Sequence, residues 1–121
     1  MPFPKISTKS KNYTITPQIE ALLIHKFEPL GRFLEGKTDV RCEVELEKIG
    51  DHHSGKIHRA EINVYTKGKM FRAEATEEQM EQSIDEIRDE LKKELQHAHD
   101  KRKSLVRRGG QMIKDMLRFG R

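Results

Sequence analysis

Val40-Arg41-Cys42-Glu43-Val44-Glu45-Leu46-Glu47-Lys48-Ile49 decides the fold of this chain. Val40, Cys42, Val44 and Leu46 fall on one side and Arg41, Glu43, Glu45 and Glu47 on the other, and a period of two with this polarity reads as a half-buried strand. Gly50-Asp51-His52-His53-Ser54-Gly55 follows as a turn-rich stretch. Beyond it His58, Ala60, Ile62 and Val64 alternate with Arg59, Glu61, Asn63 and Tyr65, which predicts a second strand pairing back on the first. Lys67-Gly68-Lys69 is a tight connection into Met70-Phe71-Arg72-Ala73-Glu74-Ala75, a third strand with Phe71, Ala73 and Ala75 turned inward. The three form a meander. Upstream, Lys5-Ile6-Ser7-Thr8 is extended, and Pro2 and Pro4 beside it favour an edge position.

Two helical patterns flank the meander. Thr16-Pro17 opens the first, threonine supplying an oxygen to orphan amides and proline losing nothing at the first helical position. Ile19, Leu22, Leu23, Phe27, Leu30, Phe33 and Leu34 then recur at three- and four-residue spacing toward Gly36. Pro29 lies inside that stripe and predicts a kink or a split. Lys26 falls within the angular span of the stripe, so it must snorkel to an edge or meet an anion. In the second pattern Thr76-Glu77-Glu78-Gln79 reads as a capping box, followed by Met80, Ile84, Ile87, Leu91, Leu95 and Ala98 on one narrow face. The predicted class is α+β, in the order β-α-β-β-β-α, with one four-stranded sheet and two helices on its apolar face.

Charge is segregated along the chain. Of 24 Lys+Arg and 20 Asp+Glu, 19 of each lie at or before Lys103, so the net charge of +4 resides in residues 104–121. The second helix is itself polarised, acidic from Glu77 to Glu90 and basic from Lys92 to Lys103; complementarity to the helix dipole accounts for much of this, but not for Lys101-Arg102-Lys103 continuing into Arg107-Arg108. The division expected is a domain over 1–103 and a basic arm over 104–121, with Gly109-Gly110 as a break. Met112, Ile113, Met116 and Leu117 give the arm an amphipathic helical pattern too short to persist alone in water, so order on binding is expected. Such an arm meets a polyanion or an acidic membrane surface.

Several function classes are excluded or disfavoured. One domain of 121 residues with 34% hydrophobic and 36% charged residues has a small core. No apolar run approaches the roughly 20 residues that cross a bilayer, and Met-Pro-Phe-Pro-Lys lacks the apolar stretch of a secretion signal, so a cytoplasmic location is expected. Cys42 is the sole cysteine, which rules out an internal disulfide or a thiolate cluster and reads as a buried apolar residue. His52, His53 and His58 lack the companion ligands of a metal site. His97 and His99 lie two apart and share no helix face; they read as solvated or phosphate-contacting. Ser54, Ser83 and Ser104 have no nucleophile-elbow context, and the carboxylates occupy solvated faces. No enzyme, cofactor or metal is indicated.

Tyr13-Thr14-Ile15-Thr16-Pro17, Lys26-Phe27 with Leu30, His58-Arg59-Ala60-Glu61-Ile62, Gly68-Lys69-Met70-Phe71-Arg72-Ala73-Glu74, Met80 with Ile84-Asp85, and Leu91-Lys92-Lys93-Glu94-Leu95 together resemble the short form of the bacterial ribosome hibernation-promoting factors, which include the ribosome-associated inhibitor, or protein Y. The resemblance spans roughly residues 3 to 103. It implies a sheet similar to that of double-stranded-RNA-binding domains and a non-enzymatic factor, monomeric off the ribosome. That factor binds ribosomal RNA phosphates in the decoding region of the small ribosomal subunit, across the paths of messenger and transfer RNA, and silences idle ribosomes. On matching positions the implied contacts are Lys26, Arg32, Lys92, Lys93 and Lys101; Arg102, Lys103, Arg107 and Arg108 are added on charge alone. Glu81 stands where the family commonly has tyrosine and Glu90 where lysine is frequent, which thins the basic surface at mid-helix. Long members carry a further domain that joins two ribosomes; this chain ends without it.

The chemistry is consistent with that implication. Lys and Arg on phosphates give salt-sensitive affinity without base reading, and the absence of Trp and of an aromatic-rich strand argues against single-strand stacking. The expected role for the arm is to run along the messenger channel. Two alternatives are a general double-stranded-RNA-binding protein and a membrane or protein scaffold using the amphipathic arm, the latter weakened by the lack of an aromatic anchor other than Phe119.

Overall fold

The computed structural model describes residues 3–50 and 55–119, with side chains described as far as Lys101. Strand β1 (Ile6–Lys11) leads into helix α1 (Pro17–Phe27), a 3-10 segment (Glu28–Leu34), strands β2 (Arg41–Lys48), β3 (His58–Thr66) and β4 (Lys69–Glu77), and helix α2 (Met80–Phe119). This is the predicted β-α-β-β-β-α order. The sheet runs β1-β2-β3-β4, with β1 at an edge and parallel to β2, and the remaining pairs antiparallel.

The registers carry the alternation across the sheet. Cys42 pairs with Val64 and Val64 with Phe71; Val44 pairs with Ile62 and Ile62 with Ala73; Leu46 pairs with Ala60 and Ala60 with Ala75. These rows form one face, and Cys42, Val44, Leu46, Ala60, Ile62, Val64, Phe71 and Ala73 are buried there. Burial pushes the Cys42 thiol up to about 12, so it is an inert apolar filler. Gly68, at φ 90°, takes the left-handed position of the β3–β4 turn. Asn12 ties the end of β1 to β2 by donating from Nδ2 to the carbonyls of Lys48 (3.2 Å) and Gly50 (3.1 Å).

Both helices cover the apolar face. The Thr16 hydroxyl accepts from the Ile19 amide at 3.2 Å, capping α1 as the sequence predicts. At Pro29 the helix tightens into the 3-10 segment, because proline cannot donate to a carbonyl one turn back. The stripe survives the change of winding: Ile19, Leu23, Phe27, Leu30, Phe33 and Leu34 are all buried. On α2, Met80, Ile84, Ile87, Leu91 and Leu95 are buried and Ala98 packs at the margin. Ser83 lies among them, fully buried, its hydroxyl donating to the His58 carbonyl.

Two local readings need correction. The capping box does not form at Thr76, because β4 continues to Glu77 and Thr76 pairs with Arg59 in the sheet. The α2 start is fastened three residues later, where the Gln82 side chain accepts from the Gln79 amide at 3.1 Å. Nor does α2 stop at Gly109-Gly110; its backbone is helical to Phe119, about 60 Å at 1.5 Å per residue. Two interior glycines cost about 2 kcal/mol of helix propensity, which the good helix formers on either side offset.

The opposite face of the sheet is an ion-pair lattice. Arg59, its side chain 16% exposed, reaches Glu45 at 3.1 Å, Glu47 at 3.5 Å, Glu74 at 3.1 Å and also Glu61. Arg72 binds Glu61 and Glu74. Glu61 is held below the ordinary carboxylate value of 4.5 by hydrogen bonds from Asn63, Arg72 and Arg59, and Glu74 chiefly by Arg59. Carboxylates with depressed values contribute stability present above that ordinary value and lost as pH falls through the lower folded one. Arg59→Met therefore lowers stability by about 1–2 kcal/mol at neutral pH, and the deficit shrinks toward pH ~4 as the abandoned carboxylates take up protons. Urea unfolding of both proteins at the two pH values measures this; a deficit independent of pH contradicts it.

Candidate nucleic-acid interface

Because α1 and α2 lie side by side on the sheet, their upper surfaces meet in a groove of about 400 Å³. Leu30 and Pro29 form part of its lining. Around them stand His25, Lys26 and Arg32 from the first helical layer, and Arg88, Asp89 and Lys92 from α2. Three residues predicted from the sequence, Lys26, Arg32 and Lys92, are thus brought to one place from segments far apart in the chain. Arg88 and His25 join them without having been predicted.

Each cation is held differently. Lys26 meets the Asp85 carboxylate at 2.8 Å, Nζ to Oδ1, so the lysine inside the apolar stripe has found its anion within the protein. Asp85 Oδ1 is withdrawn from solvent and has Arg88 Nη1 as a second cationic neighbour at 3.9 Å. Arg88 itself lies across Asp89, donating to Oδ1 from Nη2 at 2.8 Å and from Nε at 3.0 Å. The Arg32 guanidinium sits 4.7 Å from the centre of the Phe33 ring, a cation–π contact that leaves its donors facing outward. Lys92 is exposed and makes no ion pair among the described residues. The two acids therefore neutralise part of the groove and position Lys26 and Arg88, while Arg32 and Lys92 keep uncompensated charge.

Phe33 also joins the two helical layers further along. His99 of α2 packs edge-on against its ring, with centroids 5.9 Å apart. Lys93 and Lys101 are exposed but do not line the groove: Lys93 is about 100° round the helix from Lys92, and Lys101 is on the opposite line. The side chains of Arg102, Lys103, Arg107 and Arg108 lie outside the described residues, as do His52 and His53. His58 is a structural joint, its Nδ1 donating to the Glu78 carbonyl at 2.9 Å, with Tyr13 edge-on to its ring.

A phosphate approaching the helical side thus finds guanidinium and ammonium donors over an apolar floor. On the sheet side it finds Arg59 and Arg72 already engaged by four glutamates. No helix among the described residues is long and apolar enough to cross a membrane.

Solved structures share this fold. The N-terminal domain of protein Y from Thermus thermophilus superposes with a TM-score of 0.62 at 26% identity, covering 80% of this chain and 98% of that one. A ribosomal subunit interface protein from Coxiella burnetii shares the fold at 19% identity with a TM-score of 0.60, covering 77% of this chain and 94% of that one. No curated protein matches. The pattern of the family described as sigma 54 modulation protein / S30EA ribosomal protein matches residues 6–103, all four strands and the helical layer that carries the groove, and the chain belongs to that family.

Proposed function

We propose that this protein is a ribosome hibernation factor that binds the decoding region of the small ribosomal subunit through ribosomal RNA phosphates, blocking messenger and transfer RNA and silencing translation. The observation that carries the reading is the convergence of Lys26, Arg32, Arg88 and Lys92 on one groove of a chain whose body is otherwise charge-balanced. Family membership and the names of the similar structures, protein Y and a ribosomal subunit interface protein, support a ribosomal partner. A rigid cationic groove of this kind recognises a phosphate arrangement of fixed shape and needs no base code. Lys93, Lys101, Arg102 and Lys103 extend the contact along α2. Arg107, Arg108 and the rest of the basic arm over 104–121 follow the messenger channel.

Neutralising about four phosphates makes affinity fall on the order of 50- to 150-fold for a fourfold rise in salt. Co-sedimentation with ribosomes at low and raised salt should show that loss, and Lys92→Glu and Arg32→Glu should each weaken binding roughly tenfold while leaving urea stability unchanged. Salt-independent binding, or equal binding to free RNA duplex, contradicts the proposal.

Deleting residues 104–121 should weaken ribosome binding and reduce inhibition of cell-free translation, while the remaining domain stays folded. Full binding and inhibition by the truncated protein would remove the arm from the mechanism.

A further inference from the structure

A second cleft, of about 380 Å³, lies between the free edge of β1 and α1. Phe3, Ile6 and Leu23 line its apolar part, and Ile24, 59% exposed, stands at its rim. Glu20, Ile24 and Glu28 follow at four-residue spacing, so this side of the first helical layer presents acid, apolar residue, acid in one line. None of these residues takes part in the basic groove. β1 is an edge strand, so every second residue directs its amide and carbonyl away from β2 toward no neighbouring strand. An open edge beside an apolar cleft is the arrangement that accepts an added strand.

Charge and spacing select the occupant. Glu20 and Glu28 outnumber Lys5 in the cleft, so it disfavours a phosphate backbone and favours a cation. A second copy pairing through β1 is disfavoured by Lys9 and Lys11 facing their own counterparts. α1 joins two parallel strands and so returns alongside them, with four residues rising about 6 Å. Two residues of a strand advance about 6.6 Å. An added strand therefore places residues at i−2, i and i+2 beside Glu20, Ile24 and Glu28.

We propose that the β1–α1 cleft binds an extended cationic segment of a protein partner, adding a fifth strand to β1, with an apolar side chain against Leu23 and Ile24 and a basic side chain two residues to either side. The probe is the peptide acetyl-Thr-Lys-Thr-Val-Thr-Lys-Thr-amide, titrated into the full isotope-labelled chain. Amide shifts are expected at residues 6–11 and 19–28. The double variant Glu20→Gln with Glu28→Gln, and separately Ile24→Ser, should each weaken binding roughly fivefold or more with the spectrum otherwise intact. A version with glutamate in place of both lysines, or with N-methylated alternate amides, should not bind. Absence of shifts at millimolar peptide, equal binding of the glutamate peptide, or the same shifts produced by an RNA oligonucleotide would each overturn the proposal.

Discussion

Water has to be kept from one face of a four-stranded sheet, and most of this molecule follows from how that is done. Rows such as Cys42–Val64–Phe71 and Val44–Ile62–Ala73 are apolar on one side only, because strand side chains alternate. Phe27, Leu34, Ile84, Ile87 and Leu91 close over those rows and are themselves fully buried. With both helices committed to the same face, their outer surfaces must lie side by side, and the groove between them is a consequence of the core.

The same constraint divides the charge. On the open face the strands place Glu45, Glu47, Glu61 and Glu74 around Arg59, so cations and anions there satisfy one another. The helices have no such lattice. Asp85 and Asp89 hold Lys26 and Arg88 in position, while Arg32 on the Phe33 ring and Lys92 remain for an external anion. A protein nearly neutral through Lys103 thus has one face suited to phosphate, one suited to solvent, and an acidic apolar cleft at the β1 edge that is suited to neither.

Much of this was legible in the sequence, since period-two and helical stripes report directly on which side chains face the core. Thr16-Pro17, the meander, the edge position of β1 and the buried face of α2 all follow from such local patterns. The start of α2 did not, because pairing of Thr76 with Arg59 in the sheet overrides a capping motif that is locally well formed. Lys26 was recognisable as a lysine needing an anion, but Asp85 lies 59 positions away and only the packing of α1 on α2 brings it near. Arg88 was missed because Asp85 and Asp89 made its segment read as acidic; its four-residue spacing to Lys92 was the available signal. Lys92 and Lys93 look equivalent in the sequence, and the phase of the helix separates them.

The central claim is that the helical face, and not the sheet face, meets ribosomal RNA. The most direct measurement is photo-crosslinking of the ribosome-bound protein from a crosslinker placed at position 92 in the groove or at position 63 on the open sheet. The account predicts crosslinks to small-subunit ribosomal RNA from position 92 and none from position 63; crosslinks from position 63 with none from position 92 would contradict it.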